Sequence, residues 1–493
     1  MTFRSPGVAA VLVVLNVSSV SADGPFPAYH ELYFQQTFDH FQPLAHARWP
    51  HRYLLNNDSW DGRGKLTNVC RGPILLYAGN EGPIEAFWSG NGFMIEDLAP
   101  AWGGLLLFPE QRFYGQSLPF GNASCSGAEH LTYLTTSQVV EDYVELLAHL
   151  KATMPGAANC PVVAFGGSYG GTLAALLRAS HPAAITGALA ASSELGYYDL
   201  AGWAAHGVTE FAFEDVVAED YRTAVPGCLD AIQAATTLIE AAERSKVAEV
   251  FQVCEDKALG PRNSDLFIYA LESLPQQDYP YAIGALPARP VTAACNLLME
   301  PRRWGDPGAL LKAAASVARM AFGLSGSACI PYQGPGGPGN TPGDGPGPGA
   351  WGWQSCTETL HSFSARVLRN YTFDFKASAS ECSALYGTPL APPDTGLLAR
   401  RYGGFALADG SAGVSRLIWS HGTLDPWHGW FRQMAQPSAQ SDVHHFLMEG
   451  SAHHLDLRTP NPDDPPDVTA ARRRMKEIIH GWIHKASSEV VII

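Results

Sequence analysis

Positive charge is scarce in this sequence. The 493 residues contain 32 Lys and Arg against 47 Asp and Glu, which gives a formal net charge of −15. Nucleic-acid-binding surfaces are usually basic, so this balance argues against a nucleic-acid partner. Charged residues make up 16% and hydrophobic residues 46% of the chain, and these proportions are typical of a globular protein rather than a disordered one.

Long apolar runs are missing after the N-terminus. The apolar stretch at 7–17 follows Arg4, precedes small residues at 20–22, and is too short to span a bilayer comfortably. This pattern is typical of a secretory signal peptide, which we assign to residues 1–22. An uncleaved membrane anchor is the alternative. Once the signal is removed, we expect no membrane association.

Metal-binding and collagen-like patterns are also missing. The spacing of a zinc centre does not accompany the histidines at His444, His445, His453 and His454, so we predict no metal and no other cofactor. Residues 333–349 are rich in proline and glycine but lack glycine at every third position. We therefore predict a flexible loop there rather than a collagen helix.

The chain contains nine cysteines, which imply disulfides in a protein that enters the secretory route. Because the count is odd, at least one thiol is left over, and we predict that Cys160 is a buried free thiol. Asn57, Asn122 and Asn370 begin glycosylation sequons, which would be used only if exposed. These features predict an extracellular, lysosomal or vacuolar protein.

Apolar runs alternate with helical patterns in the first part of the chain, which predicts an α/β sheet with helices on its faces. After this part comes a long, cysteine-bearing and mostly helical region, and strand-like runs then return before a final amphipathic helix. We therefore predict a sheet domain in two parts, 23–197 and 401–493, interrupted by a helical insertion, 198–400. The runs that predict strands are 74–79, 104–108, 161–165, 184–192, 414–420 and 443–448, and those that predict helices include 136–152 and 467–486.

A Gly-x-Ser-x-Gly pattern lies at 166–170, between a predicted strand and a predicted helix. This is the context of a nucleophile elbow, a turn so tight that the neighbours of the serine must lack side chains. It also places the Ser168 hydroxyl at a helix N-terminus, where backbone amides favour developing negative charge. The alternative is a glycine-rich turn with a structural serine.

A nucleophilic serine needs a base and an orienting acid, which follow it in the order acid, then histidine, in hydrolases of this type. Asp425 follows a predicted strand, and the paired His453 and His454 follow the next one. Spacing alone does not choose between the two histidines. The oxyanion donors would be the amide of Tyr169 and the 79–82 loop with Asn80. Glu81 in that loop is either structural or a reader of a substrate amine.

Several motifs recur together in this sequence: YFQQTFDHF (33–41), YAGNEG (77–82), EQRFYGQSLPFG (110–121), GGSYGG (166–171), LDPW (424–427) and SAHHLDLR (451–458). In combination they resemble the prolyl-carboxypeptidase family of serine peptidases. The resemblance implies an α/β-hydrolase fold with a helical, disulfide-stapled cap. It also implies a catalytic triad of Ser168, Asp425 and His453. The implied cap disulfides are Cys228–Cys295, Cys254–Cys329 and Cys356–Cys382, with Cys70, Cys125 and Cys160 outside the pattern.

Members of this family cut peptides after proline and release either a C-terminal residue or an N-terminal dipeptide. The resemblance makes Trp427 a candidate wall of the proline pocket, with Trp430 and His428 near it. Gly352 lies where the dipeptidyl branch carries an aspartate that holds the substrate amine. That difference favours release of a C-terminal residue, although Glu81 could still hold an amine.

Three other readings stay open. The same triad serves esterases and lipases, and it also serves the dipeptidyl peptidases of the family. A hydrolase fold that has lost catalysis would be a binding protein. The partners that we expect are proline-containing peptides. The sequence leaves the oligomeric state open, with a homodimer as one arrangement.

Overall fold

A computed structural model describes residues 19–20, 26–42, 47–60, 70–260, 262–300, 306–331, 349–390 and 394–489. The strands are β1 (Ser19–Val20), β2 (Tyr29–Thr37), β3 (Arg48–Asn56), β4 (Ile74–Tyr77), β5 (Leu105–Pro109), β6 (Val162–Gly167), β7 (Gly187–Ala191), β8 (Leu417–Gly422) and β9 (Val443–Met448). The α-helices are α1 (Ile84–Trp88), α2 (Ala99–Trp102), α3 (Ala128–Leu131), α4 (Thr136–Thr153), α5 (Tyr169–Ser180), α6 (Ala212–Ala224), α7 (Cys228–Ala241), α8 (Arg244–Phe251), α9 (Asp265–Ser273), α10 (Pro290–Met299), α11 (Pro307–Ala321), α12 (Ala350–Thr357), α13 (Phe375–Tyr386), α14 (Leu397–Tyr402), α15 (Phe405–Asp409) and α16 (Pro466–Glu489).

The strands of the described residues all form one sheet, in the order β1-β2-β3-β5-β4-β6-β7-β8-β9. The pairs from β5 to β9 are parallel, whereas β1, β2 and β3 join the edge in antiparallel pairing. Both faces of the sheet are covered by apolar side chains, and β4, β5, β6 and β7 are buried at every position. Such strands are expected where helices pack on both faces. The predicted α/β-hydrolase fold is confirmed.

Two strands, β2 and β3, are not predicted from the sequence. Each mixes polar and apolar residues without strict alternation, and their burial follows the same irregular pattern. The two-residue strand β1 lies inside the predicted signal segment and pairs with β2. The rest of that segment lies outside the described residues, as does the predicted loop at 333–349 apart from Gly349.

Between β7 and β8 the described residues form helices, turns and isolated bridges but no further strand of the sheet. Three disulfides staple this region, Cys228–Cys295, Cys254–Cys329 and Cys356–Cys382. They are the pairs that the family resemblance implies. We call residues 198–400 the cap; their limits as a domain stay a prediction.

The prediction of a free thiol at Cys160 is wrong. Cys160 is bonded to Cys70, with Cα atoms 5.0 Å apart across a sequence separation of 90 residues. Cys70 lies just before β4 and Cys160 just before β6, and these strands are parallel neighbours. The two residues therefore reach the same end of the sheet, so a disulfide can join them. Cys125 takes part in none of the four disulfides.

A buried ion pair supports the antiparallel edge of the sheet. The Arg112 guanidinium donates to both carboxylate oxygens of Asp142, at 2.6 and 2.7 Å, and both side chains are fully buried. Arg112 also donates to the backbone oxygens of Phe38 and Tyr133. Burial would raise the pKa of Asp142, but the neighbouring Arg112 charge lowers it below its usual value. This pair links α4 to the segment that follows β5.

We expect Asp142→Asn to lower the free energy of unfolding by about 3–5 kcal/mol, because it leaves the Arg112 charge buried without its partner. Chemical denaturation at neutral pH measures the change. Since the folded-state pKa of Asp142 is depressed, its contribution is present above the unfolded-state pKa and is lost as the pH falls through the folded-state value. The difference in the free energy of unfolding between the unaltered protein and Asp142→Asn should therefore become smaller in acid.

The exposed pair Arg474–Glu477, 2.9 Å apart on α16, provides the matched control. Glu477→Gln should cost no more than about 1 kcal/mol, as for surface ion pairs in general. Equal costs for the two variants would show that burial does not set the strength of the Arg112–Asp142 pair.

The surface agrees with the sequon pattern. Asn57, Asn122 and Asn370 are all exposed, so each is accessible to the modification, which stays a prediction. Among the described residues, no helix combines the length and the apolar character that crossing a membrane requires.

Candidate active site

The Gly-rich motif forms the turn that joins β6 to α5. The backbone of Ser168 has φ 60° and ψ −131°, a conformation that residues other than glycine rarely adopt. A Cβ atom on Gly166 would lie 1.9 Å from the backbone oxygen of Gly170, and one on Gly170 would lie 2.4 Å from the oxygen of Gly79. The turn therefore closes only if these positions lack side chains. The strained serine at its tip is the arrangement of a nucleophile elbow.

Asp425 and His453 meet at the same edge of the sheet. Asp425 follows β8 and His453 follows β9, and these parallel strands are neighbours. The Nδ1 atom of His453 lies 2.9 Å from Oδ1 of Asp425. Burial would raise the pKa of Asp425, but the charge and hydrogen bond of His453 lower it. A buried, ionised carboxylate on Nδ1 holds the imidazole with Nε2 free to act on another group.

The Ser168 hydroxyl is not hydrogen-bonded to His453 in this structure. It donates instead to Oε1 of Glu194, at 2.9 Å. Ser168 and His453 nonetheless line one cavity. The structure thus joins Asp425 to His453 directly and brings Ser168 to the same cavity, with its proton directed to a carboxylate that the sequence analysis did not single out.

The loop after β4 packs against the elbow. The side-chain amide of Asn80 donates to the backbone oxygen of Gly167 at 2.9 Å and to Glu81 at 3.2 Å, and Tyr77 donates to its oxygen. Because the side-chain amide of Asn80 is occupied, any oxyanion donor at this residue would be its backbone N–H. Burial raises the pKa of Glu81 to about 7, and the nearby Glu194 charge adds to the shift.

The cavity over the elbow has a volume of about 610 Å³. Aromatic rings form much of its wall near Trp427, which lies 4.9 Å from the Phe213 ring, 5.0 Å from His361 and 6.0 Å from Phe363 between centroids. Flat apolar walls of this kind fit a proline ring. Trp427 therefore lies where the sequence analysis expects a substrate wall.

Trp430 lies elsewhere. It is fully buried, donates through Nε1 to the backbone oxygen of Ser193 at 2.8 Å, and packs edge-on to Trp419. It is not among the residues that line the cavity. The predicted substrate contact for Trp430 does not fit this position, because its ring fills the space beneath the site. His428 is also buried and bonds the backbone oxygen of Asp425.

The cap helps to hold His453 in position. The backbone N–H of His453 donates to the oxygen of Gln276, and the Tyr279 hydroxyl donates to the oxygen of His453 at 2.9 Å. The Gln276 side chain also accepts a hydrogen bond from Trp427 Nε1 at 3.0 Å. The site is thus assembled from the sheet edge and the cap together, so neither part alone positions its groups.

A cation also lines the cavity. The guanidinium carbon of Arg458 lies 4.4 Å from the centroid of the Tyr279 ring, and its buried Nε finds no hydrogen-bond partner among the described residues. His454 lies beside it, held by a hydrogen bond from its backbone N–H to the Ser192 hydroxyl at 2.8 Å. Burial lowers the pKa of His454 well below its usual value, and the charges of His453 and Arg458 add to the effect. Arg458 is therefore the fixed positive charge of this wall.

Glu194, His361 and Arg458 line the cavity but are not among the site residues predicted from the sequence. Glu194 had a usable signal, because it follows β7, the parallel neighbour of β6, by three positions. Arg458 belongs to the quoted SAHHLDLR motif. His361 lies in an irregular segment after α12, where no periodicity or spacing connects it to the elbow.

Comparison with known proteins agrees with this geometry. Residues 36–475 match the family described as "Serine carboxypeptidase S28". The chain belongs to the serine carboxypeptidase S28 family. It is thus a serine peptidase of the carboxypeptidase type, and the family resemblance drawn from its motifs is confirmed.

Two similar proteins illustrate the match, and in both the aligned part covers most of each chain. The chain is 32% identical to human lysosomal Pro-X carboxypeptidase over 471 residues, covering 92% of this chain and 88% of the relative. It is 31% identical to the protein of the same name from Mus musculus, covering 92% and 89%. A crystal structure of proline iminopeptidase from Mycobacterium smegmatis covers 93% of this chain at 11% identity with a TM-score of 0.36, a likeness too weak to add to the assignment.

Proposed function

We propose that this S28 peptidase removes the C-terminal residue from peptides in which proline precedes that residue. In this proposal Ser168 attacks the carbonyl carbon of the proline, His453 transfers the proton, and Asp425 orients the imidazole. The backbone amides of Tyr169 and Asn80 would hold the oxyanion. The observation that carries the proposal is the convergence of Ser168, His453, Trp427 and Arg458 on one cavity.

Arg458 supports release of a C-terminal residue rather than an N-terminal dipeptide. A peptide's terminal carboxylate needs a cationic partner when it is taken out of water, and arginine binds carboxylates well. Glu81 would bind a substrate amine less well than a fully ionised carboxylate, because its raised pKa of about 7 leaves it partly protonated at neutral pH. The names of the relatives agree with this direction.

A set of peptides with one internal proline tests the proposal. We expect mass spectrometry to show loss of the single residue that follows a penultimate proline. Amidation of the C-terminus should lower kcat/KM by roughly 10- to 100-fold, as expected when a charged hydrogen-bonded group is lost. Acetylation of the N-terminus should have little effect, since it removes only the amine.

Release of an Xaa-Pro dipeptide, together with loss of activity on acetylation, would assign the chain to the dipeptidyl type instead. Hydrolysis of simple esters without peptide cleavage would indicate an esterase.

The compartment is part of the same proposal. Several disulfides and three exposed sequons support passage through the secretory route. Relatives are named lysosomal, which supports a lysosomal or vacuolar site of action over an extracellular one. Such a compartment is acidic, and the acidity bears directly on the chemistry of the serine.

A further inference from the structure

Glu194 holds the proton of the nucleophile. Its carboxylate lies in the loop after β7, is 2% exposed, and lines the same cavity as Ser168 and His453. Oε1 accepts the Ser168 hydroxyl at 2.9 Å. A buried carboxylate is costly unless it is paired and hydrogen-bonded. A carboxylate buried beside a nucleophile therefore needs hydrogen-bond donors that stabilise it and a function that explains its position.

The support comes from two other donors. Oε2 of Glu194 accepts from the Tyr198 hydroxyl and lies 2.9 Å from Nε2 of His361. Burial would raise the pKa of Glu194, but the bonds from His361, Tyr198 and Ser168 outweigh it and lower the pKa below its usual value. Among the described residues, the titratable groups that act on this carboxylate include Tyr198, His361 and Glu81, and His453, His454 and Arg458 line the same cavity. The carboxylate is thus held ionised in moderately acidic solution.

A function for Glu194 follows from the fact that histidine is a weak base catalyst in acidic solution. Imidazole side chains ordinarily take up a proton below about pH 6, and an imidazolium cannot accept another proton from a serine. A carboxylate with a low pKa still can. Geometry comes first for a general base, and Glu194 meets it, because its oxygen lies within hydrogen-bonding reach of the proton to be removed.

We propose that Glu194 is a second general base for Ser168 in acidic solution, acting in the form of the enzyme in which His453 carries two ring protons and serves as the general acid. The proposal rests on the assignment of Ser168 and His453 made above. It extends that assignment by giving the two proton transfers of acylation to two different residues.

Acylation then balances without any other group. The Oγ–H bond of Ser168 breaks as the Oγ–C bond forms, and the proton passes to Oε1 of Glu194. The carbonyl electron pair moves to the oxyanion and returns when the C–N bond breaks. The leaving amine takes its proton from the His453 imidazolium. The products are an acyl-enzyme, a protonated Glu194 and a neutral His453.

Deacylation reverses both transfers. Water attacks the acyl carbon and gives its proton to the neutral His453. As the C–Oγ bond breaks, the serine oxygen takes the proton back from Glu194. The enzyme returns to its starting state of Glu194 carboxylate and His453 imidazolium, so the cycle needs no net proton from solution.

The pH dependence of Glu194→Gln tests the proposal. The amide keeps the shape and an acceptor oxygen but is no base. We expect kcat on a proline peptide to fall about 10²-fold at about pH 4.5, the usual contribution of a general base, and less than about 3-fold at about pH 7.5. The rate at which a fluorophosphonate probe labels Ser168 should show the same contrast, because it reports acylation alone.

Two further variants separate catalysis from structure. Tyr198→Phe removes one donor to the carboxylate, which should raise the pKa of Glu194 and move the acidic limb of the kcat profile to higher pH. Glu214→Gln removes another buried carboxylate, one that accepts the backbone N–H groups of Val367 and Leu368. Its ratio of acidic to neutral kcat should equal that of the unaltered protein.

An equal fall at both pH values, no fall at either, or a gain for Glu194→Gln would overturn the proposal, and so would an unshifted profile for Tyr198→Phe. Each of these results leaves the proposed function intact if Ser168→Ala is inactive at both pH values. Activity in Ser168→Ala would instead remove the proposed function itself.

Discussion

Ser168→Ala should lower kcat on a proline peptide by on the order of 10⁶-fold, because the residues of a serine triad act as a unit and the nucleophile has no substitute. The substitution removes one oxygen from the tip of the elbow and changes no backbone requirement there. Peptide binding should persist, since the aromatic wall and Arg458 are untouched. Initial rates at saturating peptide, followed by mass spectrometry over long incubations, would measure the loss.

Loss of folding must be separated from loss of the nucleophile. Ser168 donates one of the three hydrogen bonds that described residues make to the Glu194 carboxylate, so its removal should change the thermal midpoint only slightly. A fluorophosphonate probe should label the unaltered protein and fail on the variant. Most of the activity surviving in Ser168→Ala would refute the assignment. Failure of the probe on the folded, unaltered protein would favour a binding protein that has lost catalysis.

The parts of the site that follow parallel strands are those that the sequence predicts. Ser168, Asp425 and His453 each come shortly after a buried strand. Since the carboxyl ends of parallel strands meet at one sheet edge, order along the chain and strand pattern suffice to bring these residues together. The glycines of the elbow are predictable for a related reason, because a turn of that tightness excludes side chains.

The parts supplied by the cap are not predictable in this way. His361 reaches Glu194 across 167 positions, and Gln276 reaches the His453 backbone from a turn at the end of the cap helix α9. These contacts depend on how the cap packs on the sheet, and no local pattern records that packing. The position of Trp430 is not predictable either, although this residue is close to Asp425 in sequence. Proximity in sequence does not tell whether a ring faces the cavity or the core.

The disulfide between Cys70 and Cys160 lies between these cases. Once β4 and β6 are known to be neighbours, the residues just before them must lie close. The sequence shows the strands but does not give their order in the sheet. A free thiol at Cys160 was therefore as consistent with the sequence as the bond that the structure contains.

The second large effect should come from Asp425→Asn, which we expect to lower kcat by about 10⁴-fold while the protein stays folded. Asp425 accepts at its Oδ1 atom from the Trp427 backbone N–H at 3.2 Å and lies 2.9 Å from His453 Nδ1. Both contacts are made by the same oxygen, so an asparagine must place either its oxygen or its amide nitrogen at that position. With the nitrogen there, it donates to Nδ1, and that contact stabilises the tautomer with the proton on Nε2, where the base should be free.

Asp456→Asn is the matched control for this loss. Asp456 is fully buried near the same sheet edge and accepts the Ser420 hydroxyl at 2.6 Å, but no hydrogen bond joins it to His453 among the contacts of the described residues. We expect its kcat to stay within about 3-fold of that of the unaltered protein, the scale of a change that reaches the site only through packing. If the two asparagine variants lost activity equally, the contact between Asp425 and His453 would have no special role. A loss confined to Asp425→Asn, with both proteins unfolding at similar temperatures, would place the effect on the orientation of the imidazole, because each substitution replaces a fully buried carboxyl group by its amide.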